Sequence, residues 1–161
     1  MNKSPKIYPT IVHMLAETVD KFGDTPALIC EDRTLTYSEY FRCVAGLARR
    51  LQDFSEGKSL RDERVALICG NSLEMAIGLF AAHASGAQIV PVNPIYTKRE
   101  LTHILGDSEP IAVIYDTEIA DVVRPLLKDL DITHGIEVGG AEGERFDIWQ
   151  EDTDISLPDL P

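Results

Sequence analysis

The stretch that decides the fold is Val65-Ala66-Leu67-Ile68-Cys69-Gly70-Asn71-Ser72. It opens with a continuous apolar run, bounded by charge before it and by a glycine after it. Such a run is typical of a strand that is buried on both faces. A helix is predicted next, over Met75–Ser85, with Gly86 capping its end. A buried strand, a turn and a helix in succession form the repeating unit of a parallel sheet.

The same alternation continues toward the C-terminus. The predicted elements are strands at Ala87–Val92, Ile111–Tyr115 and Ile132–Val138, and helices at Arg99–Gly106 and Ile119–Leu130. Pro125 lies inside the last helix and is expected to distort or break it, because proline has no amide hydrogen to donate.

The region before the decisive stretch has a different pattern. Helical spacing predicts a helix over Ile11–Phe22 and another over Tyr40–Leu51. Between them, Ala27–Cys30 and Thr34–Tyr37 flank a charged turn and predict a short hairpin. The predicted fold class is therefore α/β, with a mostly parallel sheet, helices on both faces, and a helix and short β-hairpin in front of it.

Three helices carry the signature of a capping box, in which the first side chain and a glutamate three positions later satisfy each other's backbone N–H groups. The three predicted boxes are Thr36 with Glu39, Asn71 with Glu74, and Thr97 with Glu100. They indicate where helices begin and carry no information on chemistry.

Charge is distributed unevenly along the 161 residues, whose net charge is −12. Residues 1–106 hold 12 acidic and 12 basic side chains, whereas residues 107–161 hold 15 acidic and three basic ones. We predict an α/β domain over residues 1–138 and an acidic connector over residues 139–161 that leads toward a further region. No basic cluster is present, so the pattern argues against a nucleic-acid partner.

The cysteine pattern and the apolar tracts bear on the compartment. Three widely spaced cysteines favour neither a disulfide framework nor a zinc site. The N-terminus has no apolar run of signal-peptide length, and the longest apolar tract, Met75–Val92, contains polar residues and a proline. A cytoplasmic protein is predicted.

Catalytic motifs are missing from the sequence. It contains no Gly-x-x-x-x-Gly-Lys-Ser/Thr loop, no Gly-x-Gly-x-x-Gly and no Gly-x-Ser-x-Gly elbow. The four histidines are isolated and lack metal-ligand spacing. We therefore assign no catalytic residue and no metal ligand.

Two loops are candidates for ligand binding, because ligands of open α/β sheets gather at the carboxyl ends of strands. The first is the turn at Asn71, for which simple helix capping is the alternative. The second contains Asn93 and Tyr96, and is followed by Lys98 and Arg99, which could meet a phosphate. Its alternative is a rigid connection with a solvated basic pair.

Four stretches resemble, in order, the core motifs of a known family. They are Phe22-Gly23-Asp24-Thr25-Pro26-Ala27-Leu28, Leu35-Thr36-Tyr37-Ser38-Glu39-Tyr40, Arg64-Val65-Ala66-Leu67 with Asn71-Ser72-Leu73-Glu74, and Ala84-Ser85-Gly86-Ala87-Gln88-Ile89-Val90-Pro91-Val92-Asn93-Pro94. The chain thereby resembles the N-terminal part of the AMP-forming acyl-CoA synthetases, of the adenylate-forming superfamily. The segment from Asn93 to Thr97, with Arg99-Glu100-Leu101, is most similar to bacterial fatty-acyl-CoA ligases.

The resemblance implies a two-step reaction for the full enzyme. A fatty acid attacks ATP, assisted by Mg²⁺, to give an acyl-adenylate and pyrophosphate, and the thiol of coenzyme A (CoA) then displaces AMP. It makes CoA a candidate partner of Lys98 and Arg99, and makes Asn71, Asn93 and Tyr96 candidate substrate contacts. A peripheral membrane association is left open for the full enzyme.

The family's phosphate-gripping motif, ending Pro-Lys-Gly, has no counterpart in this sequence. Its later adenine, metal and lysine motifs have none either. We therefore expect this chain to be inactive alone and to have the rest of the synthetase polypeptide as its partner. ATP, Mg²⁺ and CoA are the cofactors implied for the full enzyme, and no cofactor is assigned to this chain alone.

Other readings remain open from the sequence. One is a non-catalytic binding or dimerisation module, with a homodimer formed through the face that would normally meet the missing region. Another is a sensor that uses the strand-end loops. A flavodoxin-like receiver domain is disfavoured, because the strand ending at Cys69 is followed by Gly70 and Asn71 rather than by an acidic pair.

Overall fold

A computed structural model describes residues 6–56, 60–141, 143–145 and 149–150. Its elements in chain order are α1 Ile11–Phe22, β1 Pro26–Cys30, β2 Arg33–Thr36, α2 Tyr37–Asp53, β3 Arg64–Ile68, α3 Leu73–Ala84, β4 Gln88–Pro91, α4 Lys98–Ser108, β5 Ala112–Asp116, α5 Ala120–Asp129 and β6 His134–Val138. A 3₁₀ turn over Thr117–Ile119 joins β5 to α5.

The larger sheet is parallel, with the strand order β4-β3-β5-β6. Its central strand β3 pairs with both β4 and β5, so that Val65 lies beside Ile89 on one side and Ala112 on the other. Strands β1 and β2 form a separate antiparallel hairpin. The predicted fold class is confirmed, including the helix and hairpin that precede the sheet.

Two apolar cores lie on opposite faces of this sheet, since successive side chains of a strand point to opposite faces. Val65 and Leu67 join the core that contains residues of α2 and α3. Ala66 and Ile68 join the core that contains residues of α4 and α5. Strand β3 is therefore buried on both faces, which is why its sequence is apolar without alternation.

Two of the three predicted capping boxes are present, at Thr36 and Thr97. The box predicted at Asn71 is wrong: Ser72 is the cap of α3, and its hydroxyl accepts a hydrogen bond from the N–H of Met75 at 3.0 Å. The carboxylate of Glu74 instead receives two hydrogen bonds from the guanidinium of Arg33, at 2.8 and 3.1 Å.

The Arg33–Glu74 pair joins the hairpin to the sheet layer. The side chain of Glu74 is only 3% exposed, and Arg33 reaches it from β2. A buried carboxylate without a cation would cost several kcal/mol, on the order of 3–5. This pair thus fixes the position of the hairpin against α3.

Most elements begin or end one to three residues away from their predicted bounds, and two of the differences have a clear physical cause or consequence. Tyr37 begins α2 rather than ending β2, because Thr36 caps the helix at that point. Helix α5 is continuous across Pro125, so the expected break does not occur.

The segment predicted as a connector is described in part. Glu144 forms a parallel bridge to Val138, and Trp149 is buried within the core that contains α2 and α3. The domain boundary at residue 138 stays a prediction, and residues 151–161 lie outside the described part of the chain. Among the described residues, no helix is both long enough and apolar enough to cross a membrane.

The cap of α4 supplies a test of this helix boundary. Thr97→Ala removes the hydroxyl that accepts from the N–H of Glu100 and donates to its carboxylate. We expect the free energy of unfolding, measured by urea denaturation, to fall by about 1 kcal/mol.

Thr102→Ala is the matched control, since Thr102 is exposed on the same helix and its hydroxyl bonds the carbonyl of Lys98. This change should leave the free energy of unfolding within about 0.5 kcal/mol. An equal loss in both variants would contradict the role given to the cap.

Candidate functional site

The four parallel strands all end at one edge of the sheet, the carboxyl edge, where ligands of open α/β sheets bind. The turn containing Asn71 follows β3, and the loop containing Asn93 and Tyr96 follows β4. Because β3 and β4 are neighbours, the structure brings the two predicted loops to the same edge, one strand apart.

The turn at Asn71 is closely tied to its surroundings. The N–H of Gly70 donates to the carboxylate of Asp116 at 2.6 Å, and Ser72 caps the helix that follows. Asn71 itself is exposed, and its carbonyl lies 3.9 Å from the thiol of Cys30. The turn therefore does supply the cap of α3, through Ser72 and not through the side chain of Asn71.

The loop after β4 is held by a short internal turn. The side-chain oxygen of Asn93 accepts from the N–H of Ile95 at 3.0 Å, and its carbonyl accepts from the N–H of Tyr96 at 3.2 Å. This turn projects two large side chains outward: Ile95 is 82% exposed and Tyr96 is 42% exposed. The loop therefore presents an aromatic and an aliphatic group to whatever meets this edge.

Lys98 and Arg99 are the first two residues of α4, and both are exposed. Arg99 lines a shallow open depression with Thr97, Glu100 and His103. Hydrogen bonds from the hydroxyl and N–H of Thr97 lower the pKa of the Glu100 carboxyl, which keeps it ionised beside Arg99. The basic pair is thus in the first turn of a helix, where the dipole also favours anions.

Sequence reasoning missed Asp116, which ends β5. Besides holding Gly70, it lies close to the thiol of Cys69, whose pKa is raised chiefly by burial and further by the Asp116 charge. The sequence does show an aspartate, Asp116, at the end of an apolar strand. Its partner Gly70 lies at the end of another strand and is revealed only by the three-dimensional structure.

Thr117 ties the next pair of strand ends together. Its hydroxyl lies 3.2 Å from the carbonyl of Val138 and 2.8 Å from that of Gly139. Side chains at the end of β5 therefore connect it to β3 on one side and to β6 on the other.

The carboxyl edge consequently has two halves of opposite character. At the β3–β5 half, Asp116 occupies the Gly70 N–H and adds a negative charge, which disfavours a phosphate. At the β4–α4 half, Lys98 and Arg99 supply exposed positive charge, which the ionised Glu100 carboxylate offsets only in part. A phosphate-bearing ligand is therefore favoured at α4 and not at the Asn71 turn.

In the described part of the chain, no three His, Cys, Asp or Glu side chains lie close enough together to hold a metal ion. Asp116 does not form part of such a set. The five predicted contact residues lie at one edge of the sheet, with Asn71 in the turn after β3, Asn93 and Tyr96 in the loop after β4, and Lys98 and Arg99 in the first turn of α4.

Comparison with known proteins identifies the family of this chain. The model of a family described as AMP-binding enzyme matches residues 15–157, most of the chain. The chain belongs to the AMP-binding enzyme family. The match includes the elements that form the carboxyl edge of the sheet.

Two curated relatives show about the same level of sequence identity to this member of the AMP-binding enzyme family. The long-chain-fatty-acid–CoA ligase of Escherichia coli O6:H1 is 30% identical over 134 residues, which are 83% of this chain and 23% of that protein. The medium/long-chain-fatty-acid–CoA/3-oxocholest-4-en-26-oate–CoA ligase of Mycobacterium marinum is 31% identical over 119 residues, 74% of this chain and 21% of that protein. The chain thus spans less than a quarter of these relatives.

Solved structures share the fold. A chain assigned as a long-chain-fatty-acid CoA ligase from Rhodopseudomonas palustris superposes with a TM-score of 0.79 at 26% identity, over 94% of this chain and 38% of that one. A benzoate CoA ligase from Burkholderia xenovorans gives a TM-score of 0.72 at 17% identity, over 87% of this chain and 28% of that one. The second comparison bears on the fold alone.

The three thiols give a test of burial near the carboxyl edge. Cys43 and Cys69 are buried, whereas Cys30 is half-buried at the end of β1. Since the thiolate is the reactive form and burial raises the pKa of Cys69, we expect Ellman's reagent to react quickly with Cys30 alone in the native protein.

All three thiols should react after unfolding in urea. A Cys30→Ser variant should lose the fast reaction while keeping the slow ones. Fast labelling of Cys69 in the folded protein would show that this strand end is open to solvent.

Proposed function

We propose that this chain is the N-terminal part of a fatty-acid–CoA ligase of the cytoplasm, and that it performs no adenylation by itself. In the whole enzyme, a fatty acid would attack ATP to give acyl-AMP and pyrophosphate, and the thiol of CoA would then displace AMP. The observation that carries the proposal is the similarity of 83% of this chain to long-chain-fatty-acid–CoA ligases at 30% identity.

The predicted inactivity rests on the family's phosphate-gripping motif, which has no counterpart in this sequence, and on the charge at the β3–β5 half of the carboxyl edge. Transfer of an adenylyl group needs positive charge or hydrogen-bond donors aimed at the phosphates. The β3–β5 half of the carboxyl edge has Asp116 instead, and its Gly70 N–H is already bonded. ATP phosphates would have to be gripped by other parts of the enzyme.

Within that enzyme we assign Lys98 and Arg99 to the phosphates of CoA. Their exposure at the start of α4 leaves them accessible to an anion, and the helix dipole adds a favourable field. We assign Asn71, Asn93 and Tyr96 to substrate contacts on the adjoining loops. The rest of the ligase polypeptide is the proposed partner of the exposed Ile95 side chain.

A second candidate function is a dimerisation module. Several large apolar side chains are more than half exposed, including Ile29 at 73% and Ile95 at 82%. Apolar area of this kind tends to mark interfaces. A rise in apparent mass with concentration in size-exclusion chromatography would favour this function, and a monomer at every concentration would exclude it.

The first test is catalytic. The purified chain, shown to be folded by circular dichroism, is supplied with ATP, Mg²⁺ and a fatty acid, and pyrophosphate is measured. We expect no release above that of a protein-free control. Release that depends on the fatty acid would overturn the proposed inactivity while leaving the family intact.

The second test is binding of CoA to the chain, measured by isothermal titration calorimetry at low salt. Loss of one exposed charge contact corresponds to about a fivefold weaker affinity, so Arg99→Ala and Lys98→Ala should each weaken binding by about this factor. Lys128→Ala, at the exposed end of α5, removes the same charge elsewhere and should have no effect.

Salt should weaken this interaction as well, because exposed charges are screened. Equal affinity in the Arg99→Ala, Lys98→Ala and Lys128→Ala variants would remove these two residues from the CoA site. Pantetheine, which carries the thiol arm of CoA and none of its phosphates, would do the same if it bound as tightly as CoA.

A further inference from the structure

The described residues that follow β6 converge on Glu144. Its N–H donates to the carbonyl of Glu137 at 2.7 Å, and its own carbonyl accepts from the N–H of Gly139 at 3.3 Å. Its side chain forms an ion pair with Arg50 of α2 and accepts from the indole N–H of Trp149 at 3.4 Å. One residue thus connects β6, α2 and Trp149.

Trp149 is the anchor of this arrangement. Its side chain is 3% exposed and packs into the core that contains α2 and α3. Burial of the large Trp149 side chain removes much apolar area from water. The stabilisation that this burial gives is larger than that from an ion pair whose side chains are partly exposed. Both side chains of the Arg50–Glu144 pair are partly exposed. The pair therefore contributes more to the orientation of this segment than to its stability.

Gly143 lies so close to the end of β6 that this position requires a glycine. A Cβ on Gly143 would lie 2.1 Å from the carbonyl oxygen of Gly139 and 2.6 Å from the hydroxyl of Thr117. The N–H of Gly143 donates to that same carbonyl at 3.0 Å. Such a close approach is not a feature of a solvated linker.

We infer that Arg50, Glu144 and Trp149 form a latch that makes Glu144 and Trp149 part of the folded unit and fixes where the chain leaves the domain, on the face covered by α2. The latch also pairs with the carboxyl-end part of β6, which is otherwise an edge strand. Edge strands left open are sites of unwanted pairing, so closure there protects the sheet. The inference does not depend on the proposed function.

The folded unit then extends past residue 138, where the sequence pattern placed its end. What lies beyond Trp149 would begin at a defined point on the domain rather than at the end of a free tether. In a longer ligase chain, this fixed starting point would limit the positions that the following region can reach.

The wild-type chain supplies the first measurement, because Trp149 is its single tryptophan. We expect a blue-shifted emission maximum, weak quenching by acrylamide, and slow hydrogen exchange of the Glu144 amide. Emission like that of tryptophan in water, or exchange of that amide at the rate of an unstructured chain, would overturn the latch without any variant being needed.

Two substitutions then open the latch in different ways. Gly143→Ala forces the loop away from β6, and should increase quenching of Trp149 and speed exchange of the Glu144 amide by more than tenfold. Arg50→Ala should speed that exchange by about fivefold at most, the factor that an exposed pair supplies. Amides of β3 should remain protected in both variants.

The matched controls are Gly106→Ala, since a Cβ there meets nothing closer than 3.9 Å, and Lys128→Ala. Neither should alter the emission of Trp149 or the exchange of Glu144. If Gly143→Ala behaves as Gly106→Ala does, the close fit of the loop has no role and the inference fails.

Discussion

The burial of β3 on both faces is the constraint on which the rest of the structure depends. Val65 and Leu67 need one apolar layer, and Ala66 and Ile68 need another. A single strand that demands cover on both sides is stable only inside a sheet with helices on its two faces. The order β4-β3-β5-β6 places it in the interior, where both neighbours also pair with it.

The same constraint creates the carboxyl edge, where the candidate site lies. Once β3, β4 and β5 are parallel, their loops must emerge together, and charges from distant parts of the sequence become neighbours. Asp116 comes to lie against Gly70, whereas Lys98 and Arg99 begin the helix after β4. The difference in charge between the two halves arises from topology, with Asp116 at one and the Lys98–Arg99 pair beside Glu100 at the other.

Much of this fold could be predicted from the sequence, because the signals are local. An apolar run, a helical stripe or a threonine with a glutamate three residues later acts within one element, as at Thr36 and Thr97. The prediction at Asn71 failed because Ser72 caps the helix one residue later, while Glu74 is bound by Arg33, 41 positions away in the sequence. No pattern along the chain could reveal that ion pair.

The candidate site was predictable in the same limited way. The positions of Asn93, Lys98 and Arg99 at a strand end and a helix start followed from their spacing. The contacts of Asp116 and Trp149 could not be predicted in this way, because each contacts residues that are distant in the sequence and come together only through tertiary packing. The acidic, proline-containing composition after residue 138 indicated a connector. Nothing in that composition indicated that the indole of Trp149 would be buried.

Native-state hydrogen exchange measures the central claim most directly, because the slowest amides report opening of the whole folded unit. If β3 organises the structure, its amides and those of β5 should exchange only through global unfolding, at the free energy found by denaturation. The hairpin amides of β1 and β2 should exchange faster, through local opening. Slowest exchange in the hairpin or α1, with β3 opening at a lower free energy, would contradict this account.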